Sequence, residues 1–455
     1  MHSDRTEDYE RPVITKHDVR FMNKFGAAKY LLPYDNIDGV PIRELVKQFG
    51  SPLWVVCEAT LREKYKDLYR AFSLRYPKVA IAYSYKTNFL SGICALCHQE
   101  GAWAEVVSGF EYDIAVKLGV PGNQIVFNGP YKTKTELQRA IKNNSLINID
   151  SYQEIDNLKE LAKELGVKVK VGIRVNMQLY DTNWDRFGFN LESGQAIDAC
   201  NQIISSESLQ LAGFHAHAGT FILDTNIYRA LAEKFISLYT SVKDNPMVKI
   251  EYLDVGGGYA SKNTLHYQWI PGEYACPTFD EYAEAICSPL VAELSKTTDM
   301  PLLIIEPGRA LIDEGMHLIT TVVSRKTLPD NSKGIVIDAG INLLPTSYWY
   351  RFNIHATQRP SDRGMTEIVN IYGPLCMQMD CIQVSAYLPP VKAGDILIIR
   401  NVGAYNFSQS MQFIQPRPAA VMITKDSIEY LRLPETTEYI CQLDRIPDHL
   451  LKKKV

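Results

Sequence analysis

The sequence lacks an apolar run as long as a membrane-spanning helix needs, so none of its segments reads as a bilayer span. Neither sign of charge dominates. The 48 Lys and Arg against 52 Asp and Glu give a formal charge of −4, which supplies no electrostatic footprint for nucleic acid or an anionic membrane. Cysteine is too sparse for a disulfide framework: nine residues over 455, an odd number, fit reduced thiols. Cys94-Ala95-Leu96-Cys97-His98 has the spacing of a c-type haem attachment site, but residues 90–99 carry the apolar spacing of a helix, and buried helical thiols are the better account. No second CxxC or His pair at ligand spacing accompanies it, so no metal site is expected. Internal repeats and low-complexity tracts are missing too. Residues 1–11 are charged without an apolar stretch, which argues against a secretory signal, and a cytoplasmic protein is expected.

What is present is a regular alternation. A chain of 455 residues is too long for one ordinary core, and two domains are expected, one of which could be a barrel of about 250 residues. Residues 1–50 form a polar N-terminal segment, expected to be partly associated with the second domain. Residues 52–56 read as a strand and 59–76 as an amphipathic helix. Short apolar runs then recur at 79–86, 102–108, 124–129, 146–150, 168–176, 211–219, 251–258 and 302–308, with amphipathic stretches between them. Eight strands alternating with helices predict a (β/α)8 barrel over 51–312; an open doubly wound sheet is the competing architecture. From 313 to 455 short strands follow one another with Gly, Pro, Asn and Asp between them, which predicts a C-terminal β-domain.

In such a barrel the chemistry collects where the strands end, and those positions are polar here. Ala82, Ser84 and Lys86 share one face of the first run, which aims Lys86 at the barrel interior. Desolvation there is expected to lower the amine's pKa and suit it to imine chemistry; a snorkelling surface lysine is the plainer alternative. Glu105 lies late in the second run, and Arg174 and Asn176 end the fifth. His215 and His217 share a face of the sixth, Gly256-Gly257-Gly258 follows the seventh, and Glu306-Pro307-Gly308-Arg309 closes the eighth. Each has a structural explanation alone, as a core histidine, a turn or an ion pair. Together at one rim, unpaired, they would be costly to bury, which implies a polar ligand. An amine for an imine, an imidazole to stack, a carboxylate for a ring nitrogen and glycine amides for a phosphate are what pyridoxal phosphate requires.

The motifs Tyr83-Ser84-Tyr85-Lys86, His215-Ala216-His217-Ala218-Gly219-Thr220, Gly256-Gly257-Gly258, Glu306-Pro307-Gly308-Arg309, Tyr372-Gly373-Pro374-Leu375-Cys376 and Gly403-Ala404-Tyr405 occur in that order. The set resembles the fold type III pyridoxal-phosphate decarboxylases over residues 50–425, and within them the diaminopimelate decarboxylase branch, which has ornithine and arginine decarboxylase relatives. The resemblance implies that Lys86 carries the cofactor as an imine, His217 stacks on its ring and Glu306 pairs with its pyridine nitrogen. Gly256, Gly257, Gly258, Gly308, Arg309 and Tyr405 would hold the phosphate, with Thr220 where the family usually has serine. Glu105 and Arg174 match positions beside the cofactor. Cys376 matches a cysteine supplied by the neighbouring subunit, which implies a homodimer with shared active sites and makes Cys376 a candidate proton donor.

Substrate choice is where the chain departs from that branch. After Asp338-Ala339-Gly340-Ile341-Asn342 the branch presents an arginine before a proline, and here the residues are Leu343-Leu344-Pro345. Met377 stands where the branch has Glu and ornithine decarboxylases have Asp. A distal ammonium facing Met377 would be desolvated without a counter-charge. A substrate other than meso-diaminopimelate is therefore expected, such as an amino acid of a siderophore or antibiotic pathway or a D-amino acid, with diaminopimelate itself as the alternative. Arg351 and Asp380 could compensate for the missing charges, and Thr346 and the aromatic run Tyr348-Trp349-Tyr350 are candidate substrate contacts. An alanine-racemase-type enzyme and a partner-binding pseudo-enzyme without cofactor are the rivals; Gly373-Pro374-Leu375-Cys376 argues against the first, and Lys86, His217, Glu306 and Arg309 against the second.

Overall fold

The computed structural model describes residues 33–180, 184–296, 299–358 and 366–450. Eight parallel strands, β1 (Val79–Ser84), β2 (Trp103–Val106), β3 (Ile125–Phe127), β4 (Leu146–Ile149), β5 (Val169–Asn176), β6 (Leu209–His215), β7 (Tyr252–Asp254) and β8 (Leu302–Ile305), form a continuous ring. Each pairs with the next, and β8 returns to β1 through Leu303 opposite Val79, so the barrel is closed and the open doubly wound sheet is excluded.

Helices cover the outside because their apolar residues recur at helical spacing. On the helix Glu58–Ser73, Leu61, Tyr65, Leu68 and Phe72 are buried. Two helices, Lys134–Lys142 and Phe279–Leu294, begin with a Thr whose hydroxyl takes the backbone N–H of a Glu three residues on, and that Glu returns the bond; the reciprocal pair fixes where each helix starts. Cys94 and Cys97 are buried on the helix Ser91–Gln99.

The second domain is built from β9 (Met316–Thr327), β10 (Lys333–Ile337), β11 (Asn353–Ala356), β12 (Glu367–Tyr372), β13 (Cys381–Leu388), β14 (Ile396–Arg400), β15 (Ala420–Ile423) and β16 (Ile428–Arg432). Its boundary corrects one expectation. The strand Leu53–Cys57 lies between β9 and β15, antiparallel to the first and parallel to the second, so it belongs to the β-domain and the barrel starts after it. All five of its residues are buried, as a strand covered on both faces requires; an uninterrupted apolar run says nothing about which sheet will take it. Residues 34–49 also pack on this domain: the Tyr34 N–H donates to the Ala356 carbonyl at 3.1 Å, and Ile37, Ile42 and Leu45 join a cluster with Val55, Ile319, Ile398 and Val421. The expectation for residues 1–32 lies outside the described residues. Among the described residues no helix is long and apolar enough to cross a membrane.

Candidate active site

The first barrel strand stops at Ser84, and Lys86 sits two residues beyond it in a tight turn, Tyr85–Thr87, rather than on the strand itself. The β-domain holds that turn in place: the Thr87 carbonyl accepts from the Tyr405 N–H at 2.9 Å and from the Ser408 hydroxyl at 3.0 Å. Lys86 Nζ donates to Glu105 Oε2 at 2.5 Å. Asn128, just past β3, spans the mouth with one amide nitrogen, donating to Glu105 Oε1 at 3.1 Å and to Glu306 Oε1 at 2.5 Å. Asn148 donates in turn to Asn128 Oδ1 at 2.8 Å, which fixes the orientation of the bridging amide. Glu306 Oε2 lies 3.3 Å from His215 Nε2, completing a polar chain from Lys86 to His215.

The electrostatics reverse one expectation. Burial does push the Lys86 amine down, but the carboxylates of Glu105 and Glu306, with the hydrogen bond to Glu105, outweigh it and hold the amine above its ordinary value. Without a cofactor, Lys86 is an ammonium between two anions. Sequence shows how apolar a strand is but not which carboxylates two other strands bring to its end.

His217 is neutral. Burial first, then the cations Lys86 and Arg174, push it well below the usual imidazole range. Its Nδ1 accepts the Gly257 N–H at 3.1 Å, which places the ring proton on Nε2. The glycine run leaves no room for side chains: a Cβ on Gly257 would stand 2.2 Å from the Glu306 carbonyl oxygen and one on Gly256 2.4 Å from that of Ala216. Arg309 is enclosed by the rings of Phe221, Tyr350 and Tyr405 at 5.5, 4.9 and 5.0 Å from their centroids. Its Nη1 is 3.4 Å from Asp313 Oδ2, and Asp313 is held by Ser261 Oγ at 2.6 Å, Asn263 Nδ2 at 2.8 Å and the Ala404 N–H at 3.0 Å. The Arg309 Nε–H is buried and has no partner within the protein. Arg174 lies 4.4 Å over the Phe187 ring and 3.9 Å from Asp150; burial lowers its pKa.

These groups open on one cavity of about 590 Å³. Of the residues singled out in the sequence, Lys86, Glu105, Arg174, His217, Thr220 and Glu306 line it, as do Arg309, Thr346 and Tyr405. Trp349 and Tyr350 also line it, but Tyr348 is exposed outside it. Two candidate compensating charges do not line the cavity of their own chain. Asp380 is buried away from the cavity, its carboxylate accepting the Ile341 and Leu375 N–H groups at 2.8 and 2.7 Å, so it braces a loop. Arg351 is exposed on a short strand whose partner is Thr264-Leu265, outside the cavity. Cys376 and Met377 lie on the surface of the β-domain and do not line the cavity of their own chain. Asn128, Trp184, Phe221 and Gln409 also line the cavity and went unnoticed in the sequence. Asn128 could have been found, because Asn128-Gly129-Pro130 ends the third apolar run just as Lys86 ends the first.

Pyridoxal phosphate suits this donor set. An amine paired with one buried carboxylate, a second carboxylate joined to the first through a bridging amide, a neutral imidazole, a glycine run without side chains and an arginine with an unused N–H are brought together. The family model for the pyridoxal binding domain of pyridoxal-dependent decarboxylases matches residues 58–313, beginning just past the Leu53–Cys57 strand. Diaminopimelate decarboxylase of Aquifex aeolicus is 31% identical over 415 residues, 89% of this chain and 94% of its own. That of Bacillus subtilis is also 31% identical, over 90% of this chain and 94% of its own. The crystal structure of diaminopimelate decarboxylase from M. jannaschii in complex with L-lysine superposes with a TM-score of 0.84 at 30% identity, covering 93% of this chain and 99% of that one. The chain is a carboxy-lyase that uses pyridoxal phosphate, and it belongs to the fold type III pyridoxal-phosphate decarboxylases, in the diaminopimelate decarboxylase-like branch.

Proposed function

We propose that this carboxy-lyase removes the α-carboxylate of diaminopimelate. The observation that carries the reading is the similarity to diaminopimelate decarboxylases along nine-tenths of the chain rather than over the cofactor domain alone. It displaces the expectation of another substrate, although that expectation keeps support from one feature. Leu343 and Leu344 are buried where the branch has an arginine, and the cavity wall includes Leu265, Trp184 and Trp349, which suits a less charged tail. Screening amino acids of both enantiomers for carbon dioxide release separates the two readings. Turnover of meso-diaminopimelate above all others supports the first, and preference for an amino acid without a distal carboxylate supports the second.

Pyridoxal phosphate supplies an electron sink for the pair left on the α-carbon when carbon dioxide departs. The side chains divide the remaining work. Lys86 is the residue that would hold the cofactor covalently, and its amine, once free, could move a proton. Glu105 and Glu306 keep that amine charged until it reacts. Glu306 would pair with the ring nitrogen, and His217, neutral, would stack on the ring. The amides of 256–258 and Gly308, with Arg309, Tyr405 and Thr220, would hold the phosphate, and Arg174 would stand beside the cofactor. Two copies of the chain complete the site, Cys376 of the second reaching the cavity to protonate the α-carbon. Replacing Cys376 with Ala is expected to slow turnover about tenfold or more, or to divert cycles to transamination, while the cofactor stays bound. An unchanged rate and product would remove that role.

A further inference from the structure

At the ends of β6, β7 and β8, the donor atoms of His215 and Glu306, which line the cavity, and of Asp254 lie within 4.8 Å of one another, all three residues buried. Asp254 Oδ1 accepts the Gly256 N–H at 3.0 Å, and its Oδ2 is buried with no donor. The oxygens of Glu306 are committed to Asn128 and His215. Two carboxylates this close, with no donor for Asp254 Oδ2, cannot both stay ionised in a dry interior; a proton or a cation has to lie between them.

We propose that Asp254 is a positioning residue that carries the proton on Oδ2 and donates it to Glu306, so that Glu306 stays a carboxylate, fixed in orientation and weakened as a base. The neighbours decide which of the two is neutral. Lys86 and His215 face Glu306 and offset the upward push of its burial, holding it below the usual carboxylate range. Burial and the nearby Glu306 charge push Asp254 well above that range, and Glu105 adds to the push. A cation at the same point would repel Lys86 and Arg174 at the mouth, whereas a proton adds no charge to the pair beyond neutralising one member. The consequence concerns the ring nitrogen, and here the inference rests on Glu306 being its partner: an acceptor already receiving a bond from Asp254 competes less for the ring's proton, which stays on nitrogen.

Asp254→Asn and Asp254→Ala test this, because an Asn amide reproduces a protonated Asp, accepting from Gly256 through oxygen and donating to Glu306 through nitrogen. In infrared difference spectra of wild type against D254N, the carbonyl stretch of one protonated carboxyl group is expected in wild type at neutral pH and lost in the variant. With the cofactor labelled at its ring nitrogen, the 15N resonance is expected at the protonated position in wild type and D254N, and displaced toward the unprotonated position in D254A. Absence of the carboxyl band, equal displacement in D254N and D254A, or a stoichiometric metal ion removable by chelator would overturn the proposal. The infrared comparison decides the matter even if D254A does not fold. Glu306→Gln separates the two readings: an unmoved ring resonance in E306Q removes Glu306 as the ring partner, while the infrared band still reports on Asp254.

Discussion

Lys86 is tied to Glu306 through Glu105 and one asparagine. Since Lys86 is the amine presented to the cavity floor, Lys86→Ala is expected to abolish the visible absorbance of covalently held cofactor in the purified protein; a persisting band would reassign the lysine. Asn128 makes a sharper test of the geometry. In Asn128→Leu the amide that spans Glu105 and Glu306 is lost, and two buried carboxylates each forfeit a donor, which should raise the apparent cofactor dissociation constant about tenfold or more, as read by titration of the apoprotein. At this scale the sequence exposed the rim residues that break an apolar run with a charge. It did not expose those that matter through a partner, such as Asn128 and Asp254, because an amide or acid at a strand's end is ordinary until the strand beside it is known. The protonation state of Lys86 was misjudged for the same reason: burial can be read from one strand, and counter-charges come from two others.

Among the elements, the glycine turn after β7 has no room for a side chain. Gly257→Ala would drive a methyl group into the Glu306 backbone, costing about 1–3 kcal/mol of stability and weakening cofactor binding, measurable by denaturant unfolding and by cofactor titration. In the β-domain, β9 and β11 each carry a histidine that the fold keeps neutral. Burial first, then the Arg400 cation, lowers His317 to about 3 and His355 to about 4. A folded pKa below the unfolded value near 6.5 means that the unfolded chain binds more protons, so stability is full above about pH 6.5 and falls as pH drops toward the folded values. The unfolding free energy from denaturant titrations should therefore decline by a few kcal/mol between pH 6.5 and 4.5. Substituting both with Gln should flatten that slope. Barrel strands and their order were legible because alternation of short apolar runs with amphipathic helices has one common closed solution. The strand Leu53–Cys57 was misassigned because sequence order favours neighbours, and its partners lie more than 250 residues away.

For the whole molecule, the proposed dimer makes the two halves of the chemistry separable. Lys86→Ala lacks the amine of its own cavity, and Cys376→Ala lacks the group it lends to the other. Mixed in equal amounts, the two impaired variants should recover about a quarter of wild-type activity if each site draws on both copies. No recovery, with exchange of subunits verified by sedimentation, would mean that each chain works alone. The exposed position of Cys376 and Met377, on the β-domain and away from the cavity of their own chain, fits the first outcome. What sequence alone could not supply at this scale is the face that meets a partner, since surface residues carry little periodic signal.

The short strand ahead of the barrel has a temporal consequence. Leu53–Cys57 leaves the ribosome early, yet one neighbour, β9, follows some 260 residues later and the other, β15, some 360 later. The barrel is in effect a long insertion within the β-domain, and a newborn chain must keep five adjacent apolar residues out of trouble until nearly all of it has been made. A fragment ending at residue 313 should therefore aggregate when it begins at 33 and stay dispersed when it begins at 58, which light scattering of the two would reveal.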